Sequence, residues 1–413
     1  MSLRSFFADR RLRARMLALA LGAGLGLVVL FAVRPWRGIG NALSFKRTTK
    51  DATSLMEARA RERAADDGRP LVLPGAHLPR FPINYETAKI LFPIDQEVQE
   101  FDPQVYFRRP AFQSYEIEWP EHHEGRWSVA TNSLGLREDG EPMLRKPHLR
   151  ILVAGDSHAE GVCNNPESLA HVLGRTLSAR HPEKYIESIN AAKGGYSFYN
   201  YLGTLQKFLY LEPDVFVVAV YGPNDFEEVL TPYHYFTGTT RAPGSALYWP
   251  QVEDALEICA PWLAQDGNSL KYFQEQPAEI KEALHAAQQA TLDIRDICKA
   301  SGITLVYVYI PGRFDAEDPA VLENSLPADL AQQLYTALEV RPESTAVHDS
   351  MANVLLAFLA EQQIPVLDLR PVFRQQKGPF FWKLDHHINV EAHRIIGEGL
   401  APLLEAAAPR GLR

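Results

Sequence analysis

The sequence predicts an α/β fold in which helices cover both faces of a parallel sheet. Three observations carry that expectation. From residue 149 onward, short apolar runs alternate with longer stretches of helical period. The runs are nearly continuous in Val, Ile and Leu, as suits parallel strands buried on both faces. The resulting order, strand then helix repeated five times, is that of a parallel sheet built by crossover helices.

The chain begins with an Arg-rich tail, residues 1–15, containing Arg4, Arg10, Arg11, Arg13 and Arg15. Met16 to Val33 carry no charge and are mostly Leu, Ala, Gly and Val. That is about the length a helix needs to cross a bilayer. The stretch is long for a signal-peptide core and lacks a small-x-small cleavage site, so the expectation is an uncleaved anchor. The arginines before it place the amino terminus in the cytoplasm and the remainder outside the inner membrane, in the periplasm. Lys46, Arg47 and Lys50, just past the span, pull the other way.

Residues 34–112 read as a stalk and a linker. Residues 48–70 have the look of a charged, exposed helix, and residues 69–112 are rich in Pro and aromatic residues without an assignable pattern. Residues 113–147 lead into the main domain. Tyr115, Ile117 and Trp119 alternate with Glu116 and Glu118, and Trp127 and Val129 resume the alternation after a turn at 120–125. This period of two predicts a β-hairpin. His122 and His123 read as exposed turn residues rather than metal ligands.

The main domain spans 148–407. Strands are expected at 149–154, 185–190, 214–221, 303–310 and 364–369, and helices near 167–180, 198–211, 278–300, 344–362 and 390–406. In the third helix Ile280, Leu284, Ala287, Ile294 and Cys298 fall near one face, and Gly302 ends it. Residues 226–276 interrupt the alternation with Tyr233, Tyr235, Phe236, Tyr248, Trp249 and Trp262. They follow a strand's carboxyl end, so two readings stand: a cap that shapes the substrate site, or a surface insertion packed on itself.

Candidate chemistry gathers where strands end. The strand Ile151–Ala154 runs into Gly155-Asp156-Ser157-His158. Glycine's conformational freedom suggests a sharp turn at Gly155 that lifts Ser157 to the carboxyl edge, where open α/β sheets bind ligands. Gly194 and Gly195 follow the second strand, and Asn224 follows the third. Asp385 and His387 lie just before the last helix. A parallel sheet brings Ser157, Gly195 and Asn224 to one rim. Acyl transfer needs these types: a nucleophile, a base, a carboxylate that fixes the base's tautomer, and donors for the developing oxyanion. The assignment is Ser157 as nucleophile, His387 as base and Asp385 as its orienting acid. The amides of Ser157 and Gly195 and the side chain of Asn224 form the oxyanion hole. Asp368 competes for the acid's role; Asp385 is favoured because residues two apart in an extended segment face the same way.

These four stretches resemble the SGNH (GDSL-type) hydrolases, named for Ser, Gly, Asn and His in four blocks, here Ser157, Gly195, Asn224 and His387. Thr131-Asn132-Ser133-Leu134-Gly135-Leu136-Arg137 also resembles a lead-in found in envelope-associated members. The resemblance covers roughly 130–406. It implies a flavodoxin-like three-layer α/β/α sandwich with a five-stranded parallel sheet, and esterase, lipase or carbohydrate O-acyl chemistry without metal or cofactor. The sequence departs from the family in two places. His158 stands where the family has Leu or Phe, and two readings stand for it: it perturbs the base, or it lines the pocket, the latter favoured. The acid and base are spaced Asp-x-His rather than Asp-x-x-His, which is similar to the membrane-tethered and polysaccharide O-acetylating branches.

Composition narrows the function. Lys+Arg 42 against Asp+Glu 51 gives a net charge of −9, and with no basic block this argues against a nucleic-acid partner. Cys163, Cys259 and Cys298 form no C-x-x-C pair, which argues against a zinc or redox site; a Cys163–Cys259 disulfide is the alternative to three buried thiols. The leading expectation is a membrane-anchored serine hydrolase of the cell envelope acting on an acylated glycan or lipid. An O-acyltransferase modifying an envelope polysaccharide passes through the same acyl-serine. A catalytically silent envelope scaffold is the rival from another class.

Overall fold

The computed structural model describes residues 76–92, 99–239, 249–317 and 329–412. The basic tail, the anchor expected at 16–33 and the stalk near 48–70 lie outside them. Among the described residues no helix is long and apolar enough to cross a membrane.

Among the described residues nine strands form three sheets. A short antiparallel ribbon pairs β1 (Glu100–Asp102) with β2 (Tyr106–Arg108). The hairpin of β3 (Ser114–Glu118) and β4 (Arg126–Ala130) sets Ile117 opposite Trp127 and Tyr115 opposite Val129. The main sheet has five parallel strands: β5 (Leu149–Gly155), β6 (Ile186–Asn190), β7 (Val215–Tyr221), β8 (Thr304–Ile310) and β9 (Val366–Asp368), in the order β6-β5-β7-β8-β9. The five strands expected from sequence are the five found, with β5 longer by one residue and the others shorter by one or two at some ends. Their helices are Leu169–Arg180, Phe198–Phe208, Pro277–Ser301, Val347–Glu361 and Val390–Ala407.

Both faces of the sheet are buried, and the period of two divides the strand side chains between them. Leu152, Ala154, Phe216, Val218, Val220, Tyr307 and Tyr309 share one apolar core with helices 198–208, 277–301 and 347–361. Ile151, Val153, Val217, Ala219, Val306 and Val308 share the other with helices 169–180 and 390–407. This is the α/β/α sandwich. The chain crosses from β5 to β6 on one side and then returns to place β7 on the other side of β5. The strand order therefore reverses between β5 and β7, and such reversal opens a crevice at the strands' carboxyl ends.

The end of the stretch read as a linker packs as part of the domain instead. Leu78, Ala88, Phe92, Val105, Tyr106 and Phe107 are buried in the same core as the sheet. The sequence hid this because the apolar residues there follow no single period. A helix, Tyr85–Leu91, and the β1–β2 ribbon share them. The described part of the insertion 226–276 packs in two places. Its first part, helix Leu230–Thr237, brings Phe236 onto Phe81 and Tyr199. Its later part packs Val252, Ala255, Cys259, Leu263 and Ala264 against Leu330, Leu334 and Leu338 in a separate cluster. All three cysteines are buried free thiols.

Candidate active site

Ser157 stands two residues past the end of β5, at the first position of a four-residue helical turn, Ser157–Glu160. Asp156 caps that turn, its carboxylate accepting the His158 amide at 2.9 Å. Gly155 is needed here for space, not for the unusual backbone angles expected of it. It lies within the strand, and a Cβ on it would come 2.4 Å from the Ala159 Cβ and 3.0 Å from the Ala219 carbonyl oxygen. Positive φ is used instead by Gly161, at +91° where the turn ends, and by Gly195, at +79° after β6.

The base and acid sit on a loop closed upon itself. Phe381 and Ile388 bridge antiparallel, and the Trp382 amide donates to the His387 carbonyl at 3.0 Å. Within the loop, His387 Nδ1 lies 2.5 Å from Asp385 Oδ1, which also accepts the His387 amide at 2.7 Å. A carboxylate only accepts, so Nδ1 carries the proton and Nε2 is left with its lone pair. Asp368, the rival acid, is engaged elsewhere: it caps helix Leu369–Gln376 and pairs with Arg370 at 2.9 Å. Arg313, just beyond β8, ties the loop to the sheet by donating to the carbonyls of Trp382 at 2.6 Å and Lys383 at 3.1 Å. Its partner Glu317 accepts the Phe380 amide at 2.7 Å. From the other side Glu121, in the turn of the β3–β4 hairpin, accepts the amides of Lys383 and Leu384.

These elements converge at the crevice. The residues flanking Ser157 both meet the base: the His158 ring lies 5.0 Å from the His387 ring, and the Asp156 carboxyl acts electrostatically on His387. A Cβ on Gly194 would lie 3.3 Å from the Ser157 Cβ, so the glycine pair faces the serine. Asn224, buried at the start of helix Gly222–Glu228, donates to Glu228 at 3.3 Å and lies against Asp156. Among the described residues no hydrogen bond joins the Ser157 hydroxyl to His387; such contacts often tighten only when substrate binds.

The electrostatics favour a poised base. Burial alone would lower the pKa of His387, but Asp385 outweighs it, aided by Asp156 and Glu160, and the imidazole titrates above its ordinary value. Burial works against the Asp385 carboxylate, yet His387 holds it down to about 2. Glu160 also stays ionised, at about 2, because Arg109, Lys193 and Arg137 overcome its burial. Behind the oxyanion side lies the opposite case. Burial, then Asp156 and Glu227, push Glu228 up to about 8, and burial raises Asp156 to about 6.

Two sequence expectations about histidines are corrected. His158 does not line a pocket: it is fully buried, stacked on Tyr221 with centroids 3.5 Å apart. His122 is not exposed: it is 3% exposed and faces Glu167 at 2.9 Å, while His123 beside it is open to solvent. Sequence reasoning also missed the buttress. Arg137, in the lead-in motif, is 1% exposed and donates to the carbonyls of Glu160, Gly161 and Cys163. It thereby holds the segment just after the nucleophile. Arg109 pairs with Glu160 and donates to the Tyr115 hydroxyl at 2.6 Å. A buried arginine in a loop leaves no periodic signal.

No family model and no curated protein matches the chain. Solved structures similar to it include TesA, 14% identical with a TM-score of 0.35, over 62% of this chain and 99% of that one. The psychrotrophic esterase EstA from Pseudoalteromonas sp. is 12% identical with a TM-score of 0.31, over 62% and 97%. A mutant of Axe2, an acetyl-xylooligosaccharide esterase from Geobacillus Stearmophilus, is 12% identical with a TM-score of 0.36, over 66% and 99%. The five-stranded parallel α/β fold is the one that the SGNH resemblance implied. Likeness at these scores carries no conclusion about chemistry, which rests on the residues of the crevice.

Proposed function

We propose that this protein is an SGNH-type serine hydrolase that removes an O-acyl group from a glycan or lipid of the cell envelope. The observation that carries this reading is the Asp385–His387 pair, 2.5 Å apart, with the acid buried and the base half-buried, on the rim that also holds Ser157. In the reaction, Ser157 Oγ attacks the ester carbonyl while His387 Nε2 takes its proton. The tetrahedral oxyanion is received by the amides of Ser157 and Gly195 and the side chain of Asn224. Collapse expels the alcohol, to which His387 returns the proton. Water, deprotonated by the same imidazole, then releases the acid from the acyl-serine. Asp385 keeps Nδ1 protonated and offsets the imidazolium as it forms.

A pocket beside Gly195 supports a hydroxylated substrate. Ser197, Glu227, Glu228 and Thr231 line it together with Leu91 and Phe92. The apolar stretch 16–33 supports placement of the domain outside the inner membrane on a single-pass anchor. The test is release of p-nitrophenol from its acetate ester by wild type and by Ser157→Ala. Release that survives the substitution unchanged contradicts the proposal.

A further inference from the structure

We propose that His158, His386 and His387 form a binding site for a divalent transition-metal ion of the zinc class, and that the bound ion silences the site by occupying the base. One ring nitrogen from each of the three lies within 4.8 Å of the others. Nitrogen ligands sit about 2.0–2.1 Å from zinc, so the nitrogens of a tetrahedral site stand roughly 3.4 Å apart. Small side-chain rotations close that gap.

Three features favour coordination over a chance grouping of rings. Asp385 holds His387 Nδ1 and leaves Nε2 for an ion, the carboxylate–histidine–metal arrangement that raises ligand basicity and fixes orientation. His158 is fully buried, and its Nε2 has no hydrogen-bond partner. Its Nδ1 accepts only a long bond, 3.4 Å, from the Ile388 amide. Coordination through Nε2 moves that ring's proton to Nδ1 and gives up this weak contact. His386 and His387 are half-buried, so an ion can reach the buried third ring from the rim. Three protein ligands leave the fourth position to water. The carboxylates of Asp385, Asp156 and Glu160 supply compensating charge nearby.

A second grouping, His122, His123 and Glu167, has similar spacing. There the His122 Nε2–Glu167 contact at 2.9 Å already accounts for the arrangement, so it serves as the control. The inhibitory consequence rests on His387 being the base; the binding site does not.

The experiment titrates the chelator-stripped protein with Co²⁺ and reads the visible absorption of a low-coordinate complex, then measures zinc inhibition of ester release. The expected result is one equivalent bound. His386→Ala, a rim substitution checked by thermal unfolding, weakens binding at least tenfold, and Asp385→Asn weakens it roughly 10–100-fold. Glu167→Gln leaves binding unchanged. Absence of a cobalt band, or loss of it with Glu167→Gln alone, overturns the proposal. Cobalt bound at the three histidines without any ester release would sink the hydrolase reading and leave the metal site standing. Ester release without metal binding would do the reverse.

Discussion

Glu160 accepts the Gly194 amide at 2.7 Å, joining the helical turn that carries Ser157 to the glycine loop that faces it. The same carboxylate pairs with Arg109, and its backbone carbonyl receives Arg137. One buried acid thus fixes the spacing between the turn bearing Ser157 and the Gly194–Gly195 loop. Removing one partner of a buried pair leaves the other charge uncompensated, at about 3–5 kcal/mol. Glu160→Gln is expected to destabilise the fold on that scale in denaturant unfolding, and to lower kcat in whatever fraction remains folded.

The pH profile follows from His387. Its pKa is raised, so the inactive imidazolium persists to a higher pH than an ordinary histidine allows, and activity climbs as pH rises through that value. Asp385, at about 2, is ionised throughout and adds no limb of its own in the working range. In Asp385→Asn the imidazole loses its largest stabilising partner. The ascending limb of kcat/KM is expected to move to lower pH, with kcat falling by up to roughly 10⁴-fold. A limb that stays in place would mean that another group titrates.

In the proposed reaction Asn224 serves as the side-chain donor of the oxyanion hole. Loss of one such donor costs about 2.7–4 kcal/mol of transition-state stabilisation, or roughly 10²–10³ in kcat. Asn224→Ala is expected to show that fall with little change in KM. A loss confined to KM would place the residue in substrate binding instead.

Gly155 gives a packing test. A methyl group there meets Ala159 and the backbone of Ala219, neither of which can swing aside. Gly155→Ala is expected to cost about 1–3 kcal/mol by overpacking. It should also depress activity, because the helical turn bearing Ser157 must shift.

How much of this was legible in the sequence depends on how local each cause is. The five strands announced themselves because both faces of the sheet are apolar, so every residue of β5 and β7 is buried. Asp385 and His387 were legible as a pair because a single residue separates them. The role of Gly155 was misread because its constraint is packing against Ala159 in the next turn and Ala219 on a different strand, not backbone angle. His158 looked like a pocket residue, but Tyr221, at the end of another strand, covers its face. Glu121, Arg109, Arg137 and Arg313 act on backbone atoms or side chains far along the chain, and no spacing rule links them to the site. Residues 76–92 and 99–112 joined the core unannounced for the same reason.

The central claim is that Ser157 is an activated nucleophile, and a serine-directed fluorophosphonate probe tests it most directly. Wild type is expected to label with one equivalent, Ser157→Ala not at all, and His387→Ala only slowly. A wild-type protein that stays unlabelled while folded, or a Ser157→Ala variant that labels as fast as wild type, would contradict the account.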